Sequence, residues 1–148
     1  MITSLRALPL RFLDPARLLP HELHDPVHAA ALADSMRESG IWRVPIVVER
    51  GSLTVMDGHH RLAAALALRV ARIPALLLDY DTVPVSATRD GYEVTPAAIV
   101  ARARAGELYP VKTTRHRFAA PLPACHVSLR LLWAAAPCAS EPAALVES

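Results

Sequence analysis

Asp57-Gly58-His59-His60-Arg61 sets a carboxylate, a glycine, two imidazoles and a guanidinium in consecutive positions. Leu53 to Met56 before it reads as a strand, and His59 to Val70 after it reads as a helix. The run therefore sits where a strand passes into a helix N-terminus. That end of a helix presents unpaired N–H groups and a partial positive charge, a combination that binds phosphate. Gly58 lets the backbone approach an anion closely. Arg61, one turn in, can grip phosphate with a planar fork. His59 and His60 add donors whose charge varies near neutral pH. Asp57 carries the hard oxygen atoms that Mg2+ prefers. The plainer alternative is a common Asp-Gly turn, with Asp57 as a helix cap and His-His-Arg as a solvated first turn. The setting, between a strand and an alanine- and leucine-rich helix, favours phosphate chemistry.

Lys112-Thr113-Thr114-Arg115-His116 is a second dense run of donors. Its hydroxyls and cations suit a carboxylate ligand; the alternative is a basic surface loop. Upstream, His21-Glu22 looks like an exposed polar pair in a loop. A zinc site is not expected. Adjacent helical residues such as His59 and His60 point about 100° apart, and Pro26 interrupts the spacing of His21, His24 and His28. Trp42 could shelter a pocket, but a single tryptophan at a helix exit is more often packing.

Several elements must position these groups. Leu5 to Leu13 could be a first strand, broken by Asp14-Pro15. Asp25-Pro26 is a cap followed by a proline tolerated at the first helical position. The helix it starts carries Ala29, Leu32, Ala33 and Met36 on one face and stops at Gly40. Val44 to Glu49, the turn Arg50-Gly51-Ser52 and Leu53 to Met56 predict a β-hairpin. In the helix after it, Leu62, Ala65, Leu66 and Leu68 are the apolar candidates. Ile73 to Leu78 is a buried strand. Thr95-Pro96 repeats the cap-and-proline start, for a helix reaching Ala105 before Gly106. Leu108 to Pro123 reads as irregular, and Val127 to Trp133 as a last strand or short helix. From Ala134 onward the chain is alanine, proline, serine and glutamate without periodicity, so residues 1–133 are expected to be one domain and 134–148 a disordered tail.

The composition agrees with one small domain. A chain of 148 residues can bury a core without disulfides or structural metal, and 53% hydrophobic residues argue against wholesale disorder. The net charge is +2, with no concentrated basic stripe, so a nucleic-acid partner is not expected; Arg102, Arg104, Arg115 and Arg117 could form a local anion site. Cys125 and Cys138 have no metal-binding spacing and no disulfide framework around them. Arg6, Arg11 and Asp14 break up any signal-like apolar stretch, and no run is long enough to span a bilayer. The expected setting is the cytoplasm, with no membrane partner. The oligomeric state is left open.

The order Pro-Ile-Val-Val, turn, strand, Asp-Gly-His-His-Arg, Ala/Leu helix and Ile-Pro-Ala strand resembles the ParB/sulfiredoxin superfamily. The implied fold is α+β, a compact domain with a small mixed sheet flanked by helices. The loop at 57–61, taken with Lys112-Thr113-Thr114-Arg115-His116 and His21-Glu22, resembles the free L-serine kinases. The resemblance implies phosphoryl transfer from ADP or ATP, with Mg2+, to the hydroxyl of free serine, giving O-phospho-L-serine. It places Glu22 where these kinases keep the carboxylate that activates the hydroxyl. It puts Asp57 near the metal and the reacting centre, and Gly58, His59, His60 and Arg61 on the nucleotide phosphates. Lys112, Thr113, Thr114, Arg115 and His116 fall in the segment that holds serine. The chain departs in being more compact than the archaeal kinases, with an alanine-rich helix after His28.

The rival readings are a non-catalytic ParB-like protein, binding nucleotide for regulation or binding DNA, and sulfiredoxin. DNA-partitioning relatives carry an arginine-rich motif where this chain has His59-His60, and a downstream helix-turn-helix domain. Sulfiredoxin chemistry needs a cysteine in the phosphate loop, and residues 57–61 contain none.

Overall fold

The computed structural model of the chain describes residues 10–134. Its strands are β1 (Arg11–Leu13), β2 (Ile41–Trp42), β3 (Ile46–Glu49), β4 (Val55–Asp57), β5 (Ile73–Leu78), β6 (Val85–Ala87), β7 (Thr114–His116) and β8 (Val127–Ser128). Its helices are α1 (Pro26–Ser39), α2 (His59–Leu68), α3 (Pro96–Ala105) and α4 (Leu129–Trp133). The main sheet has the order β1-β5-β3-β4. It is mixed: β3 runs parallel to β5, while β1–β5 and β3–β4 are antiparallel. Two short ribbons, β2–β8 and β6–β7, stand apart from it. This is the expected α+β arrangement of a small mixed sheet flanked by helices.

The central strand β3 is apolar on both faces. Successive strand residues point to opposite sides, so Ile46 and Val48 join one cluster and Val47 the other. The larger cluster gathers Ile46, Val48, Val55 and Ile73 with Leu62, Ala65 and Leu68 of α2, Ala33 and Met36 of α1, and Leu129 and Leu132 of α4. Trp42 is fully buried in it, and its Nε1 donates to the Val44 carbonyl at 2.6 Å. It is packing, as its position at a helix exit suggests. Val47, Met56, Leu78 and Val83 form the smaller cluster on the opposite face, under Phe118 and Leu122.

The local starts and stops are those the residues dictate. Asp25 caps α1 by accepting from Val27 N at 2.9 Å, with Pro26 next. Thr95 caps α3 by accepting from Ala98 N at 3.1 Å. Gly40 and Gly106 end these helices in the left-handed conformation. α2 differs: its N-cap is Gly58, with φ +115°, and no side chain caps it.

Three expectations need correction. Leu66 is 50% exposed, and Ala64 takes the buried position instead. The span from Leu108 to Pro123 is not wholly irregular, because β7 pairs with β6. The guanidinium of Arg102 lies 4.2 Å from the Tyr109 ring centroid and donates from Nη1 to the Glu107 carbonyl. His21, which reads as exposed, is fully buried, with Nδ1 2.7 Å from the Val55 carbonyl and Nε2 2.9 Å from Thr114 Oγ1. Part of the proposed first strand, Cys138 and nearly all of the 134–148 tail lie outside the described residues.

Candidate active site

The turn from β4 into α2 is built around glycine. A Cβ on Gly58 would lie 3.0 Å from Ile46 Cγ1 and 3.3 Å from Arg61 Nη2, and φ +115° disfavours any side chain. The backbone can hold this path only because the atom is missing. With no side-chain cap, the first N–H groups of α2 remain available to an anion. Asp57 and Arg61 frame that opening, with Arg61 Nη2 3.2 Å from Asp57 Oδ2. The Arg61 side chain is 21% exposed and that of Asp57 46%. Arg61 Nε is buried with no hydrogen-bond partner among the described residues. A buried unpaired donor costs about 1–3 kcal/mol, and an anion at the helix end would relieve it.

His59 and His60 are engaged in a way that the sequence does not reveal. His59 Nε2 accepts from the backbone N–H of His21 at 3.2 Å. His60 Nε2 accepts from the backbone N–H of Asp25 at 3.0 Å. These nitrogens are acceptors, so only Nδ1 of each ring is left to donate. Burial holds His59 well below the usual histidine range, reinforced by His21, His116, His60 and His24. Burial lowers His60 as well, helped by His28 and His24 and opposed by Asp25 and Glu22. Neutral rings at neutral pH are what these acceptor roles require.

Glu22 does not point into open water. Its Oε1 accepts from Lys112 N at 2.9 Å, and its Oε2 accepts from Thr113 N at 3.1 Å, Thr114 N at 2.9 Å and Thr114 Oγ1 at 2.9 Å. Positive φ at Lys112, +57°, accompanies this turn of backbone N–H groups toward one carboxylate. The Glu22 segment is also stitched to Tyr109, which donates its N–H to His21 O and accepts from Leu23 N. The structure thus joins two of the three predicted segments directly.

His21 links that pair to the phosphate loop. Its Nδ1 donates to the Val55 carbonyl at 2.7 Å, two residues before Asp57, and its Nε2 lies 2.9 Å from Thr114 Oγ1. Its ring is 4.5 Å from that of His59 and 5.4 Å from that of His116. Burial lowers its pKa, opposed by the Val55 bond and Glu22. His116 bonds Tyr80 Oη at 2.9 Å; burial, then His21, pushes its pKa down to about 3. Thr113 turns its hydroxyl to the Pro110 carbonyl and is buried. Lys112 serves Glu22 through its backbone, and Arg115 is exposed. The central place of His21 and the contribution of Tyr109 are not legible in the sequence; the adjacency of His21 to Glu22 is the only signal.

A magnesium ion is compatible with this donor set. Among the described residues no three His, Cys, Asp or Glu side chains group as metal ligands. Mg2+, however, is commonly held by one or two carboxylates plus substrate phosphates, and Asp57 supplies a half-exposed carboxylate. A cavity of about 290 Å³, lined in part by Phe12, Arg17 and Arg72, contains none of these residues. No helix among the described residues is long and apolar enough to cross a membrane.

The ParB-like protein of Sulfolobus acidocaldarius is 32% identical over 79 residues, 49% of this chain and 36% of that protein. The ATP-dependent L-serine kinase of Staphylothermus marinus is 33% identical over 82 residues, 49% of this chain and 32% of that one. The chain therefore spans about a third of the length of these curated relatives. Among solved structures, a free serine kinase in complex with AMP superimposes with a TM-score of 0.75 at 18% identity, over 84% of this chain and 94% of that one. SbnI with a C-terminal truncation, from Staphylococcus aureus, gives 0.74 at 15% identity, over 83% and 88%. At these identities the likeness is one of fold. The ParB N-terminal domain family matches residues 2–88; that span holds Glu22, the hairpin and the whole glycine turn into α2, and the chain belongs to this family.

Proposed function

We propose that the chain is a nucleotide-dependent kinase that transfers a phosphoryl group from ADP or ATP to the hydroxyl of free L-serine, giving O-phospho-L-serine. The observation that carries this reading is the convergence on His21 of two sites: the uncapped opening of α2, with Arg61 beside it, and the Glu22 carboxylate. Phosphoryl transfer asks a protein chiefly for positioning and charge stabilisation. The first N–H groups of α2 and the Arg61 guanidinium take the nucleotide phosphates. Asp57 would hold a magnesium ion, which neutralises charge on the transferring phosphoryl group. Glu22 orients the serine hydroxyl and accepts its proton. The segment 112–116 frames the serine. The relatives named ATP-dependent L-serine kinase support this choice of chemistry.

The test is incubation with Mg2+, each nucleotide in turn and a panel of amino acids, with products read by mass. Phosphoserine is the expected product. No phospho-amino acid from any pair would overturn the proposal. The similarity to a protein named ParB-like favours a second reading, a non-catalytic nucleotide-binding regulator or DNA-binding protein. Nucleotide binding by calorimetry without turnover, or DNA binding that weakens steeply with salt, would select it.

A further inference from the structure

His59 and His60 hold one stretch of chain at two points. The backbone N–H of His21 meets Nε2 of His59, and that of Asp25 meets Nε2 of His60, at 3.2 and 3.0 Å. Residues 21 and 25 bracket Glu22. On its other side the same stretch is bound to Tyr109 through His21 O and Leu23 N. Adjacent helical side chains diverge by about 100°. That divergence spoils a shared metal site, but it lets two rings reach two separated points on an extended segment. The His60 ring is further set by His28, whose centroid is 4.2 Å away.

We propose that His59 and His60 act as a two-point clasp that positions Glu22 over the opening of α2, and that their ring Nε2 atoms serve this purpose rather than phosphate binding. The inference rests on the reading of Glu22 as the group that receives the serine proton. On this account the nucleotide meets main-chain N–H groups and Arg61, while the imidazoles secure the acid opposite it. They are positioning residues: they touch neither substrate nor metal through Nε2. A displaced acid loses its alignment with the hydroxyl, and misplacement by about 1 Å can cost on the order of 100-fold in rate.

His60→Phe keeps ring bulk and removes the acceptor; His60→Gln keeps an acceptor at similar reach. His59→Gln tests the more enclosed ring with little loss of volume. For His60→Phe the expectation is a fall in kcat of about 10- to 100-fold, with the Kd for ADP and ATP within about twofold of wild type. His60→Gln should recover most of the rate. A nucleotide Kd that worsens in step with kcat would overturn the clasp and make the rings phosphate ligands, and so would an unchanged kcat. A readout independent of turnover is the 15N–15N coupling across the His21 N–H···His59 and Asp25 N–H···His60 bonds, with amide exchange at residues 21 and 25. Coupling in wild type and faster Asp25 exchange in His60→Phe support the clasp, even if serine is not phosphorylated and the kinase reading fails. Absence of both couplings in the folded wild type overturns it.

Discussion

Glu22 and Thr114, 92 residues apart in the chain, meet through both the amide and the hydroxyl of the threonine, each 2.9 Å from Oε2. The same hydroxyl lies 2.9 Å from His21 Nε2. His21 Nδ1 must carry a hydrogen, because the Val55 carbonyl can only accept. When the ring is neutral, a single threonine proton therefore faces two acceptors.

Thr114→Val should destabilise the fold by about 1–3 kcal/mol, the cost of a buried acceptor left unpaired, and should lower kcat. Thr114→Ser should restore most of both. Urea unfolding and phosphoserine formation measure the pair. A valine variant as stable as wild type would remove the hydroxyl from the account.

Glu22→Gln keeps one acceptor oxygen for the donors of Thr113 and Thr114, loses the bond from Lys112 N and no longer takes up a proton. A positioned general base contributes roughly 10²–10⁴-fold, so kcat should fall by that order with nucleotide affinity little changed. Steady-state kinetics beside calorimetry will separate the two effects. A wild-type kcat would exclude Glu22 as the base.

At Gly58, alanine would bring a Cβ to 3.0 Å from Ile46 Cγ1 in a backbone at φ +115°. The left-handed conformation and the contact together should cost about 1–3 kcal/mol and weaken nucleotide binding. Ile46→Val should relieve the contact but not the backbone strain, so the double variant should recover only part of the loss. Denaturant titration of the three variants tests this; full recovery would mean that φ is immaterial.

Arg61→Lys keeps the charge and loses the planar fork. We expect roughly a tenfold or greater loss in nucleotide affinity, since one ammonium replaces a two-point grip worth more than one hydrogen bond. Unchanged affinity would show that the main-chain N–H groups suffice.

Stability should fall on the acid side. His116 is held down to about 3 in the fold against about 6.5 when unfolded, and His21 is also lowered. As pH drops below about 6.5, the unfolded chain takes up protons that the fold refuses. Stability is therefore full above that value and declines as pH falls toward 3. Unfolding free energies at pH 7.5 and 5 should differ, and the slope should flatten in His116→Phe. Equal values would contradict the burial of neutral rings.

The local features were legible because their causes are local. Asp25-Pro26 and Thr95-Pro96 start helices where a cap and a fixed φ coincide, and Gly40 and Gly106 end them. The loop at 57–61 was legible because strand, glycine and helix follow one another directly. The pairing of β6 with β7 was not: each strand has three residues, too few for a periodic signal. The burial of His21 was hidden for a different reason. Its partners are Val55, His59 and Thr114, and no spacing in the sequence announces contacts at such separations. Glu22 and Lys112-Thr113-Thr114 were each recognisable as polar segments, but their mutual contact belongs to the fold.

That long separation also bears on how the protein is made. Chains leave the ribosome N-terminus first at about 5–20 residues per second. The acid at position 22 thus waits roughly 5–20 s for donors that are translated 92 residues after it. The glycine turn and α2 can form during that interval, so a nascent chain can build the strand-to-helix turn well before the N–H groups that hold Glu22 exist.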